Sequence, residues 1–436
     1  MHTTHMAELA GMRRRSIRFV PCACTLLVTL LLVGIGDAHA QRSVERWIAE
    51  SELEIPKSAF PGEYPIVGRM AVGPDGRMYV SLPYRYKVAI FDRSGKLIKT
   101  FGGEGEEPGQ LKTQVTPFSW RVDSLVITDL GLKQLTFWDV EGRHLMNQQF
   151  SNPTSQDGCY KPGTVRGILT DGNGIVAPGT QITCVDKGVI ESPILRVDRN
   201  GQVLDTLAWL DRKHDLLLAG PPTPIQSRVI APQYLRDGSL WSIAPDGSWI
   251  VLVNRRSAVQ PEGTTFEVIK IDPAGDTLFA GRYPYRALET PAASLDSAVT
   301  LYEGIAERHG TFGSAAEAHD SIRAAAYLPR YRTPITRVVA GRDGTVWLRR
   351  ELARRDSVEW NVIGPDGEMN ATLMLPRSLT VYQAQRDMIW GTAGEVRSSI
   401  PGVWVKRPVV VRYRVRVDLT GRPDNEMSRQ PERSET

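Results

Sequence analysis

The chain has 436 residues and nearly balanced charge, 53 Lys and Arg against 49 Asp and Glu, giving a formal net charge of +4. That balance supplies no general attraction to a phosphate backbone, so nucleic acid is excluded as a charge-driven partner. A 41% apolar share can form a large core, while 39 glycines and 29 prolines spread along the length favour many short strands and turns.

Residues 1–40 read as a signal peptide. Arg13, Arg14, Arg15 and Arg18 form the charged region, Thr25–Ile35 the apolar core, and Ala38-His39-Ala40 a small-x-small cleavage site. The alternative is an uncleaved anchor, but the apolar run falls short of the roughly 20 residues that span a bilayer. Cys22 and Cys24 precede the apolar core, which argues against a lipoprotein anchor. The expectation is export to the periplasm or beyond in a bacterial cell envelope, with no stable membrane span after cleavage. Removal takes away four arginines together with Glu8 and Asp37, leaving a nearly neutral mature chain.

Val44–Ile55 has strand character but no turn partner beside it. Val67–Gly109 then forms a four-strand unit. Asp75-Gly76, between Gly68–Val72 and Met78–Val80, predicts a hairpin, because Gly enters φ > 0 without steric cost. Asp92-Arg93-Ser94-Gly95, between Lys87–Phe91 and Lys96–Phe101, predicts a second, in which the Asp carboxylate accepts a backbone N–H two residues on.

The order Asp-Gly-x-apolar-Tyr-Val, a basic loop, apolar-Phe-Asp-x-x-Gly, then Phe-Gly-x-x-Gly resembles an NHL-type β-propeller repeat. The chain as a whole resembles secreted bacterial six-bladed propellers of the TolB-like superfamily. That resemblance implies stacked four-stranded sheets, with Val44–Ile55 completing the last one and closing the ring. Where the family has an Asp after the second strand this chain has Leu82, and Tyr84-Arg85-Tyr86 stands in place of the usual Asn.

Weaker copies follow in order. Thr116–Phe150 carries Asp123-Ser124 and Asp139 to Gly142. Val165–Leu207 carries Asp171-Gly172 and Asp198 to Gly201, with a longer loop at Gly179–Glu191. A fourth, from Val229 to Arg282, has Asp237-Gly238 as its first hairpin and Asp272 to Gly275 as its second. Pro291–Pro329 breaks the pattern. Ala298, Val299, Tyr302, Ile305 and Ala306 share one helical face, and Ser314 with Glu317 form a capping box opening a second helix. Thr336–Leu375 and Leu379–Val417 complete the series. The expected fold class is therefore all-β: a six-bladed β-propeller over residues 41–421, with a helical hairpin insert (291–329) between blades four and five. Residues 422–436 are expected to form a polar, disordered tail.

Propeller topology puts the loops between second and third strands on one face. Those loops hold Tyr84, Arg85 and Lys87, Lys133, Lys187, Arg255 and Arg256, and Arg354 and Arg355. Two readings stay open: solvated loop cations, or a rim for an anionic small molecule, glycan or protein, with the helical hairpin as its lid. The expected function is a non-catalytic, monomeric exported propeller that binds a ligand or protein on this face. The alternative is a metal-dependent lactonase or lyase at the channel mouth. The resemblance includes zinc lyases and calcium lactonases. However, His144, His214, His309 and His319 lack metal-ligand spacing, and most Asp residues are explained by turns. No cofactor is expected, with calcium as the open exception.

Cys159 and Cys184 are the cysteines left after cleavage. In an exported chain such a pair reads as a disulfide, the alternative being two free buried thiols. A bridge closing that loop is worth about 3.5 kcal/mol on the chain-entropy account. Intact mass after non-reducing alkylation is expected to show neither cysteine modified; two alkylated thiols would exclude the bridge.

Overall fold

The computed structural model describes residues 44–62, 67–112, 118–129, 131–149, 165–176, 191–213, 216–219, 229–233, 235–255, 260, 262–309, 314–352, 356–394, 396–397, 404–405 and 409–419. The chain is mostly β and propeller-like. After β1 (Glu45–Ile55) comes a first sheet of β2 (Met70–Val72), β3 (Met78–Leu82), β4 (Lys87–Phe91) and β5 (Leu97–Gly102). A second holds β6 (Phe118–Arg121), β7 (Ser124–Asp129), β8 (Gln134–Asp139) and β9 (His144–Gln149). The third holds β10 (Val165–Ile168), β11 (Gly174–Val176), β12 (Glu191–Val197) and β13 (Val203–Asp211). A two-stranded hairpin, β14 (Leu216–Ala219) and β15 (Val229–Pro232), leads to the fourth sheet: β16 (Leu240–Ile243), β17 (Ile250–Asn254), β18 (Thr264–Ile271) and β19 (Thr277–Tyr285). The strands of each sheet pair antiparallel in chain order.

Next come β20 (Leu288–Glu289), helices α1 (Ala292–His309) and α2 (Ala315–Ala325), and β21 (Tyr331–Arg332), which pairs with β20. Ser314 caps α2, its hydroxyl accepting from the Glu317 N–H at 3.2 Å. Ala298, Val299, Tyr302, Ala306 and Ile322 form the core between the helices, which lie against β14 and β15. Gln233 fastens the join: its Oε1 accepts from the Tyr327 N–H at 3.2 Å and its Nε2 donates to Ala325 O at 3.3 Å.

The remaining strands are β22 (Ile335–Ala340), β23 (Val346–Arg350), β24 (Ser357–Ile363), β25 (Met369–Pro376), β26 (Thr380–Gln385), β27 (Met388–Ala393), β28 (Val396–Arg397), β29 (Trp404–Val405) and β30 (Val409–Val417). Apart from the β28–β29 pair they join β1 in an eight-stranded sheet ordered β22-β23-β24-β25-β1-β30-β27-β26. β1 runs antiparallel to β30, from Trp47 opposite Val417 to Ile55 opposite Val410, and parallel to β25 over Glu45–Trp47.

The turns repeat one device. The carboxylates of Asp92, Asp139, Asp198 and Asp272 each accept two backbone N–H groups, two and four residues on. The Gly at the third position after the Asp takes φ > 0 in all four, as at Gly95 (φ 83°). Asp237-Gly238, expected as the first hairpin of the fourth repeat, instead precedes its sheet. The hairpin lies at Asp246-Gly247, where the Gly247 N–H donates to Ala244 O at 2.9 Å. Asp237 is occupied otherwise: buried, it accepts from Tyr327 Oη at 2.7 Å.

Each sheet is apolar on both faces. Tyr79, Val88 and Ile90 pack with Trp120 and Leu125 of the second sheet. Val72, Met78, Val80 and Phe91 pack on the other side with Trp390 and Val410. Inside the eight-stranded sheet, Trp347, Val358 and Trp360 pack against Val381, Ala384 and Ile389, so its two ends face each other. Among the first strands, β2 lies beside β6 and β26, β10 beside β6, and β22 beside β16 and β26. Gly167 of β10 faces Ile243 of β16 so closely that a Cβ would stand 2.7 Å from its Cδ1.

Two expectations follow from these contacts. The register of β1 slips at Glu52, and the extra residue reaches two arginines at once, Arg412 Nε at 2.8 Å and Arg414 Nε at 3.2 Å. The Arg414 hydrogen bond, against a smaller opposing effect of burial, holds the Glu52 carboxyl below its ordinary value, with Arg412 adding to it. Its contribution is therefore present above the unfolded value of about 4.3 and is lost as pH falls through the depressed folded one. Glu52→Gln is expected to lower the thermal midpoint at pH 7 and to leave it unchanged near pH 2; an equal loss at both would exclude the ion pairs as cause.

Val122, in the β6–β7 turn, is 84% exposed with φ at 53°, where a β-branched residue is strained. Asn tolerates that conformation and forfeits no packing here, so Val122→Asn is expected to raise stability by about 0.5–1 kcal/mol in denaturant melts.

Candidate functional site

A cavity of about 450 Å³ is enclosed by the first strands. It is lined by Arg69 just before β2, Met70 of β2, Arg166 of β10, Trp241 to Pro245 along and after β16, Arg337 to Ala340 of β22, and Tyr382 and Gln383 of β26. Two polar lining residues join neighbouring strands. Gln383 Oε1 accepts from the Val72 N–H at 2.8 Å, and Ser242 Oγ accepts from the Ala340 N–H at 3.1 Å.

One end is tied shut by the first hairpins. The Trp120 N–H donates to Pro245 O at 2.7 Å, and Thr170 N–H to Gly247 O at 3.2 Å. Arg342 Nη2 donates to Gly73 O at 3.2 Å. Arg69, Arg166 and Arg337 come from the opposite ends of their strands, where the loops between second and third strands emerge. Arg69 is exposed, and Arg166 and Arg337 are half-buried.

No carboxylate, histidine or cysteine lines the cavity among the described residues. Burial pushes the guanidinium of Arg166 below its ordinary value, and the neighbouring Arg69 charge adds to this. Burial does the same to Arg337. The Tyr382 phenol opposes the shift, and Arg69 and Arg349 reinforce it. Arg337 lies 5.7 Å from the centre of the Tyr382 ring, a cation–π distance.

Directly across the ladder from Arg337 is Arg349, a like-charge pair that costs stability on its own. Arg349 has an acid partner: its Nη2 sits 3.1 Å from the buried carboxylate of Glu351, which also pairs with Arg377. Arg337, Arg166 and Arg69 have no such acid among the described residues. Three cations lining one cavity, with no acid beside them among the described residues, make it electropositive.

The cations expected from the loops lie elsewhere. Tyr84 is 67% exposed, Arg85 is exposed with its guanidinium against Gly62, and Lys133 is exposed with φ at 51°. Arg255 is only 5% exposed. Its Nε donates to Gly238 O at 2.8 Å and its Nη1 to Ile335 O, so it ties the fourth sheet to β22. None of these four lines the cavity. Arg256, Arg354, Arg355, Cys159 and Cys184 lie outside the described residues. Neither α1 nor α2 contributes to the lining. The cavity arginines carried a readable mark in Gly68-Arg69-Met70, Val165-Arg166-Gly167 and Thr336-Arg337-Val338: an arginine early in a first strand, ahead of the hairpin Asp.

Among the described residues, no three His, Cys, Asp or Glu side chains gather as a metal site would require. No described helix is long and apolar enough to cross a membrane.

No protein-family model matches this chain, and no curated protein does. Solved structures do. A member of the DUF4221 family from Bacteroides vulgatus is 10% identical, with 86% of this chain and 99% of that one covered and a TM-score of 0.48. Regucalcin, a calcium-binding protein from Agrobacterium tumefaciens, is 9% identical, covering 86% and 97%, with a TM-score of 0.36. A gluconolactonase from Xanthomonas campestris is 11% identical, covering 84% and 99%, with a TM-score of 0.38. The sheets themselves define a propeller-like β protein with a cationic centre.

Proposed function

We propose that this chain is an exported, non-catalytic six-bladed propeller that binds an anionic ligand in its central cavity. The observation that carries the reading is the meeting of Arg69, Arg166 and Arg337 in one cavity whose described lining holds no acid. Like charges held together in a partly buried space repel, so an arrangement without counter-ions is at a disadvantage until an anion enters. The function needs no cofactor, since guanidinium groups bind carboxylates and phosphates directly.

The count of six blades is supported by the eight-stranded sheet. Its ends pack face to face, its terminal strands β22 and β26 both line the cavity, and β1 bridges the two halves. It reads as two four-stranded blades stitched by the first strand. NHL-like ancestry is supported by the repeated Asp turns. Export is supported by the charged, apolar and Ala38-His39-Ala40 segments of residues 1–40.

The test is a thermal-shift screen at constant ionic strength with organic carboxylates and phosphates. At least one should raise the midpoint by about 2 °C or more, as ligand binding to the folded state requires. The paired variant Arg166→Ala/Arg337→Ala should lose that response. A panel without effect on the unaltered protein, or an equal response in the variant, would overturn the reading.

A further inference from the structure

We infer that the ligand of the central cavity is a cyclic polyanion: a ring bearing two or three carboxylate or phosphate groups. This rests on the anion-binding reading above and extends it to the ligand's charge and shape.

The charge argument starts from where the arginines stand. They come from β10, β22 and the residue just before β2, strands separated around the cavity by β6, β16 and β26. Arg69 is close enough to feel both Arg166 and Arg337. The cations thus approach from separate directions and repel one another. A single carboxylate presents two oxygens on one edge and satisfies one guanidinium fork, or two when they lie side by side. It would leave cationic charge in the enclosed space. Two or three anionic groups projecting from one scaffold match the separated approach.

The shape argument comes from what lies between the arginines. Trp241 of β16 and Tyr382 of β26 are both among the lining residues. Arg337 occupies one face of Tyr382, which fixes that guanidinium in place, while Trp241 stays partly accessible. Aromatic and aliphatic side chains interspersed among spaced cations suit a flat or cyclic body with charges on its rim. A volume of about 450 Å³ holds a small molecule rather than a polymer segment.

The experiment is isothermal titration at fixed ionic strength and pH 7.5 with benzoate, benzene-1,3-dicarboxylate, benzene-1,3,5-tricarboxylate and the open-chain propane-1,2,3-tricarboxylate. Affinity is expected to rise about 10-fold with each added ring carboxylate, and the ring tricarboxylate should exceed the open-chain one. Arg69→Gln, Arg166→Gln and Arg337→Gln should each bind the tricarboxylate about as the unaltered protein binds the dicarboxylate. Arg337→Lys keeps the charge and should retain most of the affinity. Without ligand, the Gln variants should melt at or above the unaltered protein, because each relieves repulsion; a variant that merely damaged the fold would melt lower.

Equal affinity for mono- and tricarboxylate, abolished by Arg337→Gln, would overturn the polyanion while leaving a simple anion site. Tricarboxylate binding undiminished in all three Gln variants would place it outside the cavity and overturn the inference. No binding by any member would overturn both readings.

Discussion

A four-stranded sheet with two apolar faces cannot rest with one face in water, and the rest of this structure follows from that. Val72, Met78 and Val80 point to one side of the first sheet, and Tyr79, Val88 and Ile90 to the other. Each side needs a neighbour of its own, and that neighbour carries the same requirement onward. The chain of obligations ends only where the last sheet meets the first, as it does where Trp390 and Val410 join the first sheet's cluster. Closure draws the first strands inward, and their inward side chains then have no sheet to pack against. Polar and charged residues are tolerated at those positions, and Arg69, Arg166 and Arg337 occupy them.

How the protein treats its buried and half-buried cations elsewhere makes that cluster informative. Arg349 has Glu351, Arg255 has two backbone carbonyls, and Arg342 has Gly73 O. Lys270 donates to Gly344 O at 2.9 Å and lies 4.3 Å from the Trp249 ring centre. The same fold that satisfies those groups brings three arginines to one cavity with no acid beside them among the described residues. Buried charges are ordinarily paired because desolvation is costly, which is why the cavity cluster carries the reading proposed above.

Much of the fold was legible because turn chemistry is local. Asp75-Gly76, Asp92 to Gly95 and their counterparts need only a few residues to declare a hairpin, and Val44–Ile55 stood out by having no turn of its own. Locality also explains the error in the fourth repeat. Asp237-Gly238-Ser239 and Asp246-Gly247-Ser248 carry the same signal, and only the distant Tyr327 and Arg255 decide between them. The site was less legible for a related reason. Charged loops draw attention in any sequence, yet Arg255 turns inward and Arg85 lies along Gly62. The convergence of Arg69, Arg166 and Arg337 is a property of the closed ring, which no window of sequence contains.

The partnership of β1 with β25 and β30 also governs time. Among the strands described, β1 is the first to be synthesised, and it must wait for residues 371–373 and 410–417 before it can pair. Contacts so far apart in sequence are slow to form. Until then β25 and β30 keep open edges, the kind of surface that recruits other chains. The contacts that complete the ring are therefore among the longest-range in the chain. The fastening strand is thus made first and has nothing to fasten until the last strands exist.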